Sequence, residues 1–209
     1  MFNLIATHQP EFWVMLKVHL QLTGLSVVLG ILAAVPLAIL ASRRAALKGL
    51  VMAIGNLGQT IPSLVILGLS IPLVGIGFAP ALLALFLRAV LPILLNSYVG
   101  ITGVDSDIIE AARGMGMTEN QILWRVQIPL AVPVMVAGVR TATIQAISLA
   151  TLGSFVGAGT LGDWIQQGIM MMDTDKLLAG AIPTAVLALV FDITLGRIER
   201  IVTPKGLKA

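Results

Sequence analysis

Residues 110–129 read EAARGMGMTENQILWRVQIP, the longest polar stretch in a chain that is otherwise close to a continuous apolar wall. Asp105, Asp107, Glu110, Arg113, Glu119, Asn120, Gln121, Arg125 and Gln127 fall in it or just ahead of it, with hydrophobic runs on both sides. Charges at this density stay out of a bilayer core, so the stretch is a loop between membrane spans. A first helix is expected after Asp105 or Ser106, either a suitable cap, with Asp107 and Glu110 at the positive end of its dipole. It should end in Gly114 and Gly116. A second is expected from Thr118, with Gln121 at capping-box spacing, carrying Ile122, Leu123, Trp124 and Val126 and stopping at Pro129. Helix, glycine break, helix makes a rigid elbow that can be pressed into a partner.

Working outward, composition sets the class. The 209 residues are 57% hydrophobic and 11% charged, with a mean hydropathy of +1.00, where a soluble domain carries about 25% charged residues. Long apolar runs without alternation exclude an outer-membrane barrel and predict an all-α polytopic membrane protein. At about 20 residues per span, five spans are expected, at 18–41, 50–74, 78–101, 130–156 and 177–196. They make one transmembrane domain over 1–209, with the elbow in a loop at 102–129 and a second hydrophilic loop at 157–176. There are no cysteines, which excludes disulfides and thiolate metal sites. The sequence pI of about 9.7 does not mark a nucleic-acid binder, because the positive charges sit in loops and form no stripe.

Ahead of the first span, Trp13 and Lys17 suit an interfacial segment, and no basic n-region with a small-residue cleavage site precedes it. Small residues recur every fourth position at Ser26, Gly30 and Ala34, at Gly138, Ala142, Ala146, Ala150 and Ser154, and at Gly180, Thr184 and Ala188. Such stripes let helices approach closely. The second span contains Gly55, Gly58, Gln59, Thr60, Pro62, Gly68 and Pro72, so a kink or break is expected. With the 42–49 loop placed inside, nine of the 13 Lys and Arg fall inside: Arg43, Arg44, Lys48, Arg113, Arg125, Arg197, Arg200, Lys205 and Lys208. Two, Lys17 and Lys176, fall outside, and Arg88 and Arg140 lie within spans. This bias predicts an external N-terminus, a cytoplasmic C-terminus and a cytoplasmic elbow.

An in-span arginine costs about 2.5–3.5 kcal/mol at a helix centre, so Arg88 and Arg140 should face the bundle interior or a watery path. Asp192 is the in-span carboxylate available to pair with Arg140. Thr141, Gln145 and Ser148 share one face of their helix. With Gln59, Arg88, Asn96 and Arg140 they are the candidate lining of a translocation path. Residues 157–162 spell G-x-G-x-x-G, but a membrane span precedes them and Ile182 stands where an acidic partner belongs. They are read as an external flexible hinge or re-entrant turn. Met170, Met171 and Met172 have no Cys or His beside them, so packing is favoured over a soft-metal site. Asp163, Asp173 and Asp175 make the outer loop negative. No G-x-x-x-x-G-K-[ST] occurs, and no Ser, His and Asp set converges on one face. Enzymatic chemistry has no foothold, and any ATP hydrolysis belongs to a partner.

The elbow resembles the EAA loop of ABC-importer membrane subunits. That motif is Glu-Ala-Ala, three residues, Gly, nine residues, then Ile-x-Leu-Pro; here it reads Glu110-Ala111-Ala112, Gly116 and Val126-Gln127-Ile128-Pro129. The aliphatic positions hold Val126 and Ile128, a conservative departure. Further segments resemble the osmoprotectant importers within that class. These are Gln59-Thr60-Ile61-Pro62-Ser63-Leu64, Leu91-Pro92-Ile93-Leu94, Gly138-Val139-Arg140-Thr141-Ala142-Thr143, Ala150-Thr151-Leu152 and Gly157-Ala158-Gly159-Thr160-Leu161-Gly162-Asp163. Thr160 and the run Gln145-Ala146-Ile147-Ser148 depart from the pattern.

The resemblance implies a permease subunit of a bacterial cell membrane, moving glycine betaine, choline, carnitine or a related quaternary amine. It implies two partner ATPase subunits that hold ATP and Mg, no cofactor in this chain, a second permease copy, identical or paralogous, and surrounding lipid. No binding domain follows the last span, which implies a separate extracytoplasmic binding protein. Quaternary amines are held in aromatic cages. With three Trp and one Tyr, mostly outside the spans, specificity is expected in that binding protein. In the elbow, Glu110 should fix its contact or fold and Gly116 should permit the break. Three other readings stay open: a permease for another small solute such as an amino acid, an ion-coupled secondary transporter, and a structural membrane scaffold.

Overall fold

The computed structural model describes residues 2–203; Lys205 and Lys208, counted above, lie outside them. Among the described residues the chain is helical and has no strands. Four helices are long and apolar enough to cross a membrane: Gln9–Ser42, Phe78–Thr102, Glu119–Val156 and Thr174–Val202. A short α1 (Phe2–Thr7) leads into α2 (Gln9–Ser42), which starts well before the expected boundary and takes up Trp13 and Lys17.

The second expected span is built from two shorter helices, α3 (Ala45–Thr60) and α4 (Ser63–Val74), broken at Ile61-Pro62. Ile61 is extended, at φ −69° and ψ 124°, as a residue before proline prefers. The break strips the end of α3 of its intrahelical donors. Arg88, on α5 (Phe78–Thr102), donates from Nη1 to the Gln59 carbonyl at 3.1 Å and stands in for one of them.

Helix α5 lies at the centre, packed against both α2 and α8 (Ile128–Ala150). Small residues make both contacts close. Ser26, Ala34 and Ala38 are fully buried on α2, and a Cβ on Gly30 would meet Ala89 Cβ and Ile93 Cδ1 at 3.2 Å. On α8, a Cβ on Gly138 would come within 2.6 Å of Asn96 Cβ and 3.0 Å of the Pro92 carbonyl. After α8 the chain tightens into a 3₁₀ segment, Thr151–Val156, then enters α9 (Gly162–Met171) and α10 (Thr174–Val202).

Residues 157–162 are not a flexible hinge. Gly157 and Gly159 take positive φ, but Thr160 and Leu161 are fully buried, and the space a Cβ on Gly162 needs is taken by the Thr151 carbonyl. The turn is packed in place, with Gly162 letting the start of α9 meet the Thr151 backbone. The following loop is also ordered as α9, which docks on α2: Trp164 is buried and donates from Nε1 to Glu11 at 2.9 Å. Met170, Met171 and Met172 project outward instead of packing.

Candidate coupling site

Each turn of the elbow is made by local chemistry. Asp105 accepts from the Asp107 amide at 2.9 Å and caps α6 (Ser106–Gly114). At the far end Gly116 sits at φ +82°, and two backbone bonds close around it, Gly116 to the Arg113 carbonyl and Met117 to the Ala112 carbonyl. This is the Schellman arrangement, which needs a left-handed residue at the glycine. Thr118 and Gln121 then form a reciprocal capping box on α7 (Glu119–Ile122).

Longer bonds hold the two helices to each other and to the bundle. Arg113 Nε donates to Glu119 Oε1 at 2.8 Å across the glycine break. The hydrogen bond from Arg113 holds the Glu119 carboxyl below its ordinary range. Arg43, at the end of α2, hydrogen-bonds Asn120 on α7. Beneath α7, Ile122 is buried, and Leu123 packs with Ile101 and Ala131 in a small apolar core.

The second helix does not stop at Pro129. A π-helical turn over Leu123–Gln127 lets the Ile128 amide bond the Leu123 carbonyl, five residues back. Pro129, which has no amide to give, then sits in the first turn of α8, where none is needed. The elbow therefore runs into a membrane helix with no flexible joint.

Of the motif residues, Ala112 is buried against the turn, Val126 and Ile128 are half-buried, and Glu110, Ala111, Gly116 and Pro129 are exposed. Glu110 adds to the negative charge around Arg113. Ile108 and Met115, at 43% and 76% exposure, form with Ala111 an apolar stripe along α6. Sequence reasoning passed over Ile108 and Met115, although their i, i+3, i+7 spacing with Ala111 was there to be read.

The candidate path residues fall into separate groups. Gln59 and Arg88 meet at the α3–α4 break. Thr141 and Ser148 are exposed on one face of α8, with Gln145 half-buried between them. Asn96 bonds the Pro92 carbonyl of its own helix at 2.8 Å and lies against Gly138. Arg140 turns to α10, where Nε donates to Asp192 Oδ1 at 2.7 Å and Nη1 to Glu199 Oε2 at 3.1 Å. Glu199 was missed as a partner, though seven residues bring it back to the helix face of Asp192. Gly196 lies between the two, under the guanidinium.

A bundle of apolar helices, one of them broken, with a braced and exposed elbow projecting from it, is the architecture of a multi-pass transport subunit. The chain belongs to the family described as binding-protein-dependent transport system inner membrane component, which it matches over residues 26–204. It is 44% identical over 208 residues to the glycine betaine/carnitine/choline transport system permease protein OpuCB of Bacillus subtilis, covering 100% of this chain and 96% of that protein. It is 42% identical over 189 residues to the osmoprotectant import permease protein OsmY of Salmonella typhimurium, covering 89% and 80%. Among solved structures, the MetNI methionine ABC transporter in an inward-facing conformation aligns with a TM-score of 0.81 at 25% identity, covering 93% of this chain and 99% of that one. This chain is therefore a transport subunit of the inner membrane.

Proposed function

We propose that this chain forms the translocation path of an ATP-driven importer for a quaternary-amine osmoprotectant such as glycine betaine, choline or carnitine. The observation that carries the cargo class is end-to-end similarity to permeases named for those solutes. Two copies, or this chain and a close paralogue, enclose the path. Two partner ATPase subunits hold ATP and Mg, and an extracytoplasmic binding protein delivers the solute. The N-terminus lies outside and the C-terminus inside, in keeping with the lysine and arginine bias.

The elbow over residues 110–129 receives the ATPase stroke. Its support is mechanical: a patch that transmits force must be exposed, stiff and continuous with what it moves. The α6 stripe is exposed, the Arg113–Glu119 bond stiffens the break, and the π turn joins α7 to α8. Gln59, Arg88, Asn96, Thr141, Gln145 and Ser148 are assigned to the path, and Arg140 with Asp192 and Glu199 to a clamp between α8 and α10.

Uptake of labelled glycine betaine, choline, carnitine and an amino-acid panel, in vesicles holding the assembled transporter, tests the cargo. Uptake of amino acids alone would overturn it. Glu110→Lys and Gly116→Asp should leave membrane insertion intact and abolish both uptake and ATPase stimulation. Normal uptake by both variants would remove the elbow from the mechanism.

A further inference from the structure

His19, on the buried face of α2, is fully enclosed. Its Nε2 lies 3.0 Å from the Ile147 carbonyl of α8. A carbonyl only accepts, so Nε2 carries the proton and Nδ1 is a bare acceptor. That Nδ1 is buried with no partner, and so is Thr23 Oγ1 one turn further along α2. An unpartnered buried polar atom is destabilising. Leucine or phenylalanine would fill the same space without that cost. The Nε2 bond is the compensating interaction the structure offers.

The Ile147 carbonyl lies in the last turn of α8, which ends at Ala150. Directly beyond it, Thr151–Val156 winds as 3₁₀. His19 donates to that carbonyl from a different helix, α2, and so ties the end of α8 to it.

The bond also sets where the helix changes type. An α-helix turns 100° per residue and rises 1.5 Å, and a 3₁₀-helix turns 120° and rises about 2.0 Å. Each residue converted from one to the other rotates everything beyond it by about 20° and shifts it by about 0.5 Å. What lies beyond is rigid. Gly162 is pressed against the Thr151 carbonyl, Gly168 against the Leu177 backbone and Gly180 against the Leu161 carbonyl. The segment from 151 to the start of α10 is therefore braced as one piece, held at the α8 end by the junction that His19 ties and along α9 by the Trp164–Glu11 contact with α2.

We propose that His19 is a positioning residue: by donating to the Ile147 carbonyl it pins the α-to-3₁₀ junction of α8, and with it the angle of the wall formed by residues 151–171, on which the transport cycle depends. The dependence on transport rests on the function proposed above; the pinning does not.

The test compares His19→Leu with His19→Gln in the assembled transporter in vesicles. Glutamine places an amide donor at nearly the reach of Nε2; leucine fills the space without one. His19→Leu should lower the maximal uptake rate at least fivefold, with the half-saturating concentration of binding protein changed less than twofold. His19→Gln should recover to within twofold of wild type. In parallel, spin labels at Phe155→Cys and Val28→Cys, exposed sites in a cysteine-free chain, report the distance between the 3₁₀ segment and α2. That distribution should be single in wild type and His19→Gln, and broadened or shifted in His19→Leu. Wild-type uptake and distances in His19→Leu would overturn the proposal. So would a His19→Gln variant as impaired as His19→Leu. If the wild-type transporter moves no quaternary amine, the proposed cargo fails, and the spin-label distances still decide the role of His19.

Discussion

Gly162 and Gly49 are both helical glycines, and alanine should affect them in opposite directions. A Cβ on Gly162 would lie 1.9 Å from the Thr151 carbonyl oxygen, and backbone cannot swing aside as a side-chain tip does. Overpacking of this kind costs about 1–3 kcal/mol or more. Gly49 is exposed on α3 with nothing within 4 Å, where alanine gains about 0.5–1 kcal/mol of backbone entropy. Thermal unfolding of the purified chain in detergent should show Gly162→Ala lowered by several degrees and Gly49→Ala unchanged or raised. Shifts of the same sign would mean that the close approach is not what matters. Gly116 could be identified from sequence, because helix caps on both sides spell out a break. Gly162 could not, because its crowding comes from the carbonyl of Thr151, which reaches it only once the 3₁₀ segment has folded back.

At the scale of elements, the elbow is the part most legible in the sequence. Asp105, Gly116, Thr118 and Gln121 each act within a few residues of themselves, so their spacing encodes their geometry. The fate of the second helix was not legible. Proline ordinarily ends a helix when its ring meets the preceding turn, yet the π turn shifts the hydrogen-bond ladder by one residue and lets Pro129 begin α8. The Arg113–Glu119 bond makes a prediction about this element. Arg113→Glu and Glu119→Arg should each reduce hydrogen-exchange protection over residues 114–118, and the charge-swapped double variant should regain it. A double variant as unprotected as the singles would show that the pair does not stiffen the turn. Because Arg113 lowers the Glu119 pKa, the brace is complete above the ordinary carboxylate range. It is lost only as pH falls through that lowered value.

For the whole molecule, the orientation predicted from charge can be tested cleanly because the chain has no cysteine of its own. A membrane-impermeant maleimide should label Met171→Cys in intact cells, and Lys48→Cys and Glu119→Cys only after permeabilisation. The reverse pattern would invert the topology and take the elbow away from any cytoplasmic ATPase. By itself the sequence determined the helical class, the approximate spans and the internal design of the elbow. Those follow from hydrophobic length, from caps, and from where glycine and proline interrupt a run. The sequence also offered Asp192 to Arg140, but only the tertiary structure decided the other cross-helix partners: Arg88 at the Gln59 carbonyl, Glu199 as the second carboxylate on Arg140, and His19 at the Ile147 carbonyl. In an apolar medium every opened backbone carbonyl and every buried charge requires a partner. A sequence shows where a helix loosens or a charge is buried, but which neighbour stands opposite depends on how the helices pack.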